Sequence, residues 1–149
     1  MSKIFITLLV LVVAGFAFIY WQNSQTPKLG VVDGKLSPLG SRPNCVSTQA
    51  KDPSKKVDTL KMKASLEETK QSLLSAIDSY GGAEYVVVED DYIYVVFVTP
   101  TMKYRDDAEF WIDVANNEVH FRSSSRAGYS DRGLNRQRYG QLMINYNAI

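Results

Sequence analysis

Residues 4–21 read IFITLLVLVVAGFAFIYW, a run of 18 residues without a charged side chain. This run limits where the chain can sit before any fold is considered. As a helix rising about 1.5 Å per residue it spans about 27 Å, close to the hydrocarbon thickness of a bilayer. Tyr20 and Trp21 close the run, where amphipathic rings favour the membrane interface. A cleaved signal peptide is the main competing reading, with a buried core helix a distant third. Signal peptides have an apolar region of about 7–15 residues followed by small residues. This run exits through Phe18-Ile19-Tyr20-Trp21-Gln22, a poor cleavage site, and no cysteine follows closely enough for lipoprotein processing. The expectation is an uncleaved single-pass anchor over residues 1–21. Lys3 and the α-amine favour a cytoplasmic N-terminus, although Lys28 and Lys35 blunt that bias. A short N-terminus before a long C-terminal part resembles a signal anchor, so the C-terminal domain is expected on the non-cytoplasmic side of the membrane.

Residues 22–64 show no sustained period and contain Pro27, Pro38, Pro43 and Pro53 with Gly30, Gly34 and Gly40. Proline interrupts regular hydrogen bonding and glycine raises chain entropy, so the stretch reads as a tether. It includes the less generic segment Pro43-Asn44-Cys45-Val46-Ser47. Charge is uneven. Residues 22–63 hold eight basic and three acidic residues, net +5; residues 64–118 hold three and twelve, net −9; residues 119–149 hold five and one, net +4. Any basic surface would therefore have an acidic neighbour, which argues against nucleic acid as a partner.

Residues 65–149 read as an α+β domain. Ser65-Leu66-Glu67-Glu68 fits a capping box, Leu66, Thr69, Leu73, Ile77 and Tyr80 share a helical face, and Gly81-Gly82 supplies a stop, which predicts a helix over 66–80. Four strands follow, over 83–89, 92–99, 107–115 and 118–125. A two-residue turn at Asp90-Asp91 would set Val88 opposite Ile93 and Val86 opposite Val95. Val86, Val88, Ile93, Val95 and Phe97 then share one face, and Tyr85, Tyr92 and Tyr94 the other. A tight turn at Asn116-Asn117 would set Asp113 opposite His120 and Trp111 opposite Arg122. Phe110, Ile112, Val114, Val119 and Phe121 then face the core, and Glu109, Trp111, Asp113, Glu118, His120, Arg122 and Ser124 form a solvated face with charges paired across strands. A last helix begins after Ser130 as N-cap, with Asp131 in its first turn and Leu134, Leu142, Met143 and Tyr146 as its stripe. The expected architecture is helix, four-stranded antiparallel sheet of two hairpins, and C-terminal helix, preceded by one transmembrane helix.

Pro43-Asn44-Cys45-Val46-Ser47, Asp106-Asp107-Ala108-Glu109-Phe110, and the stretch from Arg122 to Asp131 with Asn135-Arg136 together resemble the domain-of-unknown-function family 1499, over about residues 36–140. The resemblance implies a small α+β domain, often on a secreted or membrane-anchored chain in bacteria and plastid lineages, with no established activity or cofactor. Similar proteins often carry a second cysteine where this chain has Leu39, and that departure argues against a local disulfide or two-cysteine redox site here.

Three chemistries can be weighed from the residues. For a metal, His120 and Cys45 lie about 75 residues apart without ligand spacing, and Asp106, Asp107 and Glu109 read as a solvated strand start; no metal or cofactor is expected. For nucleophilic catalysis, Cys45, His120 and Asp113 have a triad's composition, but the cysteine loop would have to fold back over the polar face. For binding, Arg122, Arg126, Arg132, Arg136 and Arg138 fall within 17 residues, and Arg122, Arg126, Arg132, Asn135 and Arg136 are the candidate contacts for a small anionic ligand or acidic partner protein. The opposing reading pairs the arginines internally with Asp106, Asp107 and Glu109, locking the last helix to the sheet. With Asn44 and Cys45 these carboxylates are the candidate structural residues. The leading expectation is a non-enzymatic, membrane-tethered binding or accessory module; the alternatives are a cysteine-dependent enzyme and a purely structural domain.

Overall fold

The computed structural model describes residues 3–149. Its first helix, α1 (Lys3–Ser24), has no buried residue and is long and apolar enough to cross a membrane. Beyond it the chain runs β1 (Val31–Val32), β2 (Lys35–Leu36), β3 (Cys45–Ser47), β4 (Leu60–Lys61), α2 (Leu66–Tyr80), β5 (Ala83–Val88), β6 (Tyr92–Val98), β7 (Arg105–Asp113), β8 (Glu118–Ser125) and α3 (Leu134–Asn147). The architecture is α+β with a large antiparallel sheet, but the sheet has six strands where four were expected. Its order is β3-β8-β7-β6-β5, with β4 also pairing β8, and β1 and β2 form a separate two-stranded ribbon.

The additional strands come from the stretch read as a tether. β3 and β4 have three and two residues, too short to display a period. Both pair with β8, Cys45 opposite Ser124 and Leu60 opposite Val119. The β1–β2 ribbon turns at Asp33-Gly34, both with positive φ (50° and 69°), as a two-residue hairpin turn of the mirror-image type demands.

α2 forms where the capping signal places it, the Ser65 hydroxyl accepting from the Glu68 amide at 3.1 Å. It and α3 cover one face of the sheet. Leu73 and Ile77 of α2, Tyr139, Leu142 and Tyr146 of α3, and Ile93, Val95, Phe97, Phe110, Ile112 and Phe121 of the sheet form the main core. The Phe121 ring stacks on Tyr139, centroids 4.3 Å apart. The opposite face, expected to be solvated, is covered. Leu29, Val31 and Leu36 pack over Tyr92, Tyr94, Val96 and Trp111.

Three local expectations need correction. The β5–β6 pairing begins with Val88 opposite Ile93, but a bulge between Tyr85 and Val87 sets Tyr85, not Val86, opposite Val95. Val86 and Val88 are exposed, and Tyr85 reaches the helix side, donating to Asp78 of α2 at 2.7 Å. The β7–β8 register is displaced by two residues, with Trp111 opposite His120 and Asp113 opposite Glu118. The Asp113 carboxylate accepts from the Asn116 backbone and side-chain amides (3.2 and 2.7 Å), closing a longer loop over 114–117 in which Val114 is exposed and Asn117 takes a positive φ. Because the displacement is two residues, every side chain within β7 and β8 keeps the face that alternation implies, although Glu109, Asp113 and Arg122 are buried on the second face rather than solvated. Finally, α3 starts at Leu134 rather than just after Ser130. Arg132 and Gly133 hold positive φ, and Asp131 caps from outside the helix by accepting from the Gly133 and Asn135 amides (3.0 and 2.8 Å).

The core and the bulge predict opposite sensitivities. Phe121→Ala removes a fully buried, stacked ring and should cost about 3–5 kcal/mol, whereas Val86→Ala on the bulge should change stability by less than about 0.5 kcal/mol. Urea unfolding midpoints measure both; a large loss at Val86 would contradict the bulged register.

Candidate functional site

Strand alternation divides the acidic start of β7 between the two faces of the sheet. Asp106 points to the helix side, Asp107 and Glu109 to the ribbon side, and each finds a different arginine. Arg138 of α3 donates to Asp106 at 2.7 Å, with both side chains buried. The Arg138 guanidinium lies over the Phe97 ring, 4.6 Å from its centroid. Its other nitrogen donates to Asn135 Oδ1 at 2.9 Å, which also accepts from the Ser123 hydroxyl. The Asn135 amide nitrogen in turn donates to the Asn44 carbonyl (3.1 Å), Ser125 Oγ (3.0 Å) and Asp131 Oδ2 (2.8 Å). Asn44 completes the clasp by donating to the Gly128 carbonyl at 3.0 Å. One buried asparagine therefore joins β3, β8, the loop after it and α3.

On the other face Arg126 grips Asp107 through Nε and a terminal nitrogen at 2.8–3.1 Å, and the Tyr94 hydroxyl donates to the same carboxylate. Burial, then the bond to Asp107, pushes the Tyr94 phenol up to about 12. The Asp107 carboxylate holds the Arg126 guanidinium above its ordinary range.

The third pair is less complete. Glu109 Oε1 accepts from the Tyr92 hydroxyl (2.8 Å) and the Gly30 amide (3.0 Å). Glu109 Oε2 lies 3.3 Å from Arg122 NH1 without hydrogen-bond alignment, and the Arg122 NH2 group reaches the Pro38 carbonyl at 3.4 Å. Among the described residues Glu109 Oε2, Arg122 Nε and Arg122 NH1 have no hydrogen-bond partner, though Glu109 is fully buried and Arg122 is 7 % exposed. Burial pushes the Glu109 carboxyl up, opposed by the Tyr92 hydroxyl and by Arg122.

Arg122 and Arg126 also line a cavity of about 240 Å³ between β8 and the end of α1, together with Gln22, Thr26, Asp107 and Ser124. Asn23 holds that end of α1 in place. Its side-chain oxygen accepts from the Arg105 amide at 2.8 Å, its side-chain nitrogen donates to the Lys103 carbonyl, and its backbone carbonyl accepts from Arg126 at 3.4 Å.

The other sequence candidates are scattered. Cys45 is buried, donates to the Arg42 carbonyl at 3.2 Å and has its thiol pushed up by burial. It pairs with Ser124, four residues along β8 from His120, roughly 13 Å at strand spacing. His120 stacks on Trp111 with centroids 5.2 Å apart, contacts the Thr48 hydroxyl at 3.2 Å and lies 3.7 Å from Asp113. The structure thus joins the Asp–His half of the imagined triad and leaves the thiol apart. Arg136 is committed to the Ser54 and Lys56 carbonyls at 2.7 and 2.9 Å, while the exposed Arg132 has no side-chain partner among the described residues. No group of three or more His, Cys, Asp or Glu converges on a metal position among the described residues.

Sequence reasoning overlooked Tyr92, Tyr94, Asn23, Gly30 and Thr26. The two tyrosines carried a signal, since alternation already set them on the face shared with Glu109. The remaining three carried none, because their partners lie 79 to 103 residues away.

A family model described as a protein of unknown function, DUF1499, matches residues 35–145. No curated protein and no solved structure matches the chain. The β8 wall of the cavity lies within the matched span and the α1 wall lies outside it.

Two outcomes follow from this geometry. Cys45 should resist alkylation by iodoacetamide in the native chain and react on unfolding; fast native labelling would mean that the β3 clasp opens. Glu109, with its carboxyl raised, contributes stability present at low pH and lost as pH rises through its folded pKa. The stability of the wild type relative to Glu109→Gln should therefore fall as pH rises from about 4.5 toward 7 in urea titrations. A difference that grows with pH would mean that the Arg122 attraction outweighs burial.

Proposed function

Because this chain belongs to the DUF1499 family, whose description assigns no activity, we propose its function from its own geometry. It is a membrane-anchored, non-catalytic binding module that takes a small anion in the cavity between α1 and β8. The observation that carries this reading is Arg122. Its guanidinium is more than nine-tenths buried, lines the cavity, and keeps two nitrogens without a hydrogen-bond partner among the described residues. Leaving buried donors unsatisfied costs about 1–3 kcal/mol, more for charged groups, and a turn of the guanidinium toward an acceptor in the cavity would recover that cost. Arg126, Arg136, Arg138 and Asn135 serve the fold in this reading, since they meet carboxylates, carbonyls or hydroxyls; Arg138 also keeps a buried Nε without a partner among the described residues, but Arg138 does not line the cavity. An uncleaved α1 is supported by Asn23, whose bonds to Lys103, Arg105 and Arg126 make the end of the helix part of the domain's packing. The domain lies on the non-cytoplasmic side in this proposal, following the short N-terminus and Lys3. A thiol enzyme built on Cys45 and His120 receives no comparable support.

The test is a phosphate titration of the full chain in detergent micelles, followed through the Arg122 Nε–H resonance, assigned by its loss in Arg122→Gln. A saturable shift with a rise in unfolding temperature is expected, and Arg122→Gln should abolish the temperature rise while still unfolding cooperatively. An Arg122 signal that does not move, even at high phosphate, would overturn the binding role and leave Arg122 as Glu109's structural partner.

A further inference from the structure

The last turn of α1 fixes which part of the domain meets the bilayer. We infer that the turn between β6 and β7, residues 99–104, is a docking surface for the lipid headgroup layer, so that the domain stands end-on with Met102 and Lys103 against the membrane. The inference rests on the membrane-spanning role of α1 in the proposed function and not on the anion cavity.

The first argument is height, and it uses only residues within α1. The apolar run ends at Trp21, and Asn23 lies two residues further, about 3 Å along the axis. The Asn23 side chain donates to the Lys103 carbonyl and accepts from the Arg105 amide. A helical side chain leans toward the N-terminus of its own helix, here toward the bilayer. Both bonds therefore lie at about the level of Trp21 to Asn23. The headgroup region of one leaflet is about 5–7 Å deep. When α1 spans a bilayer with Trp21 at its interface, the β6–β7 turn is held at headgroup level.

The second argument is what the turn displays. It is closed at its base: the Thr99 amide donates to the Tyr104 carbonyl at 2.9 Å, the Lys103 amide to the Thr99 carbonyl at 3.2 Å, and the Tyr104 amide to the Thr99 hydroxyl at 2.9 Å. Lys103 holds a φ of 53°, uncommon for a residue with a side chain. The closed turn leaves Met102 50 % exposed, and residues 99–104 include no acidic side chain. A flexible thioether beside a lysine suits an interface, where apolar stems are buried and the ammonium stays among polar groups.

The third argument is charge along the sheet. β7 runs about 27 Å from Arg105 to Asp113 at strand spacing. At its Arg105 end, Glu84 meets Arg105 and Asp107 meets Arg126. The exposed Lys103 and Arg132, the second of which shares a cavity with Met102, have no ion-pair partner among the described residues. At the other end, where Tyr92 stands opposite Trp111, the β5–β6 turn carries Glu89, Asp90 and Asp91. Only Asp90 of these is paired among the described residues, with Lys70 at 3.2 Å. A headgroup layer containing anionic lipid attracts the first end and repels the second, which favours the end-on seating over a flat or inverted one.

The experiment uses the full chain in nanodiscs of phosphatidylcholine with a minor share of phosphatidylglycerol. Isotope-labelled methionine methyl groups are read before and after adding phosphatidylcholine that carries a nitroxide at the headgroup end of one acyl chain. Met102, assigned by its loss in Met102→Gln, should lose most of its signal. Met143, packed against the main core, and Met62, whose amide bonds Asn117 at the far end of the sheet, should keep most of theirs. Asn23→Ala, which removes both bonds to the turn, should restore part of the Met102 signal while the chain still co-elutes with the discs. Equal signal loss at all three methyl groups, no loss at Met102, or the same Met102 loss in Asn23→Ala would overturn the inference and leave the membrane span standing. A chain that separates from the discs would overturn the span and the seating together.

Discussion

Arg138 and Asp106 meet out of water, between a helix and the middle of a sheet, and most of the fold is arranged around the consequences. Removing two charges from solvent costs several kcal/mol per ion, and their attraction offsets this only when geometry is good and the remaining polar atoms are satisfied. Here the carboxylate receives a 2.7 Å bond and the guanidinium lies over Phe97 and bonds Asn135, although its Nε is buried without a hydrogen-bond partner among the described residues. Asn135 cannot serve Arg138 unless Ser123, Asn44 and Asp131 are in place, and Asn44 brings β3 with it. A slip of α3 by one residue would leave two charges buried without partners, a cost of about 3–5 kcal/mol. The pair therefore favours one docking of α3 over its neighbours more than it adds net stability.

The three arginine–carboxylate pairs differ in how completely they are satisfied, and that gradient separates fold from function. Asp107 is held by two guanidinium nitrogens and a phenol; Asp106 by one guanidinium whose second arm is taken up by Asn135. Glu109 and Arg122 stand directly opposite across β7 and β8, yet the arginine approaches at 3.3 Å without alignment. The Glu109 carboxylate is occupied from its other side by Tyr92 and Gly30. Gly30 belongs to the segment that covers the sheet's second face, so the chain that buries Glu109 also draws it away from Arg122. Unmet donors beside a cavity are a stronger pointer to a ligand than the number of arginines in a stretch, since most of those arginines are consumed by the fold.

What could be read beforehand follows the range of the interactions. α2 was legible because Ser65, Glu68 and the Leu66–Tyr80 face are all local. The faces of β7 and β8 were legible because alternation survives a two-residue displacement, although the pairing itself was not, since the Asp113 carboxylate captured Asn116 and lengthened the turn. Asp33-Gly34 was a local signal that went unread amid prolines and glycines, and its hairpin covers the second face. β3 and β4 were illegible for a physical reason. Strands of two or three residues gain little from their own pairing and depend on contacts such as Asn44 with Asn135, which lie 91 residues apart. The internal use of the arginines could be stated as a possibility from charge balance, but which arginine meets which carboxylate depends on register and helix docking.

The cover over the second face stops where the cavity begins, and this gives the site its place in the fold. Leu29, Val31 and Leu36 shield Tyr92, Tyr94 and Trp111, which are large and apolar enough to reward burial. Toward the other end of β8 the face presents Arg122, Ser124 and Arg126, and an apolar cover there would leave more charge unsatisfied. The chain crosses that end with Gln22, Gln25, Thr26 and Pro27, mostly polar residues that can border water. The same residues leave the apolar helix. In the proposed arrangement, the polar end of the sheet and the exit from the bilayer coincide because both need polar side chains at one level, and the cavity is the gap between them.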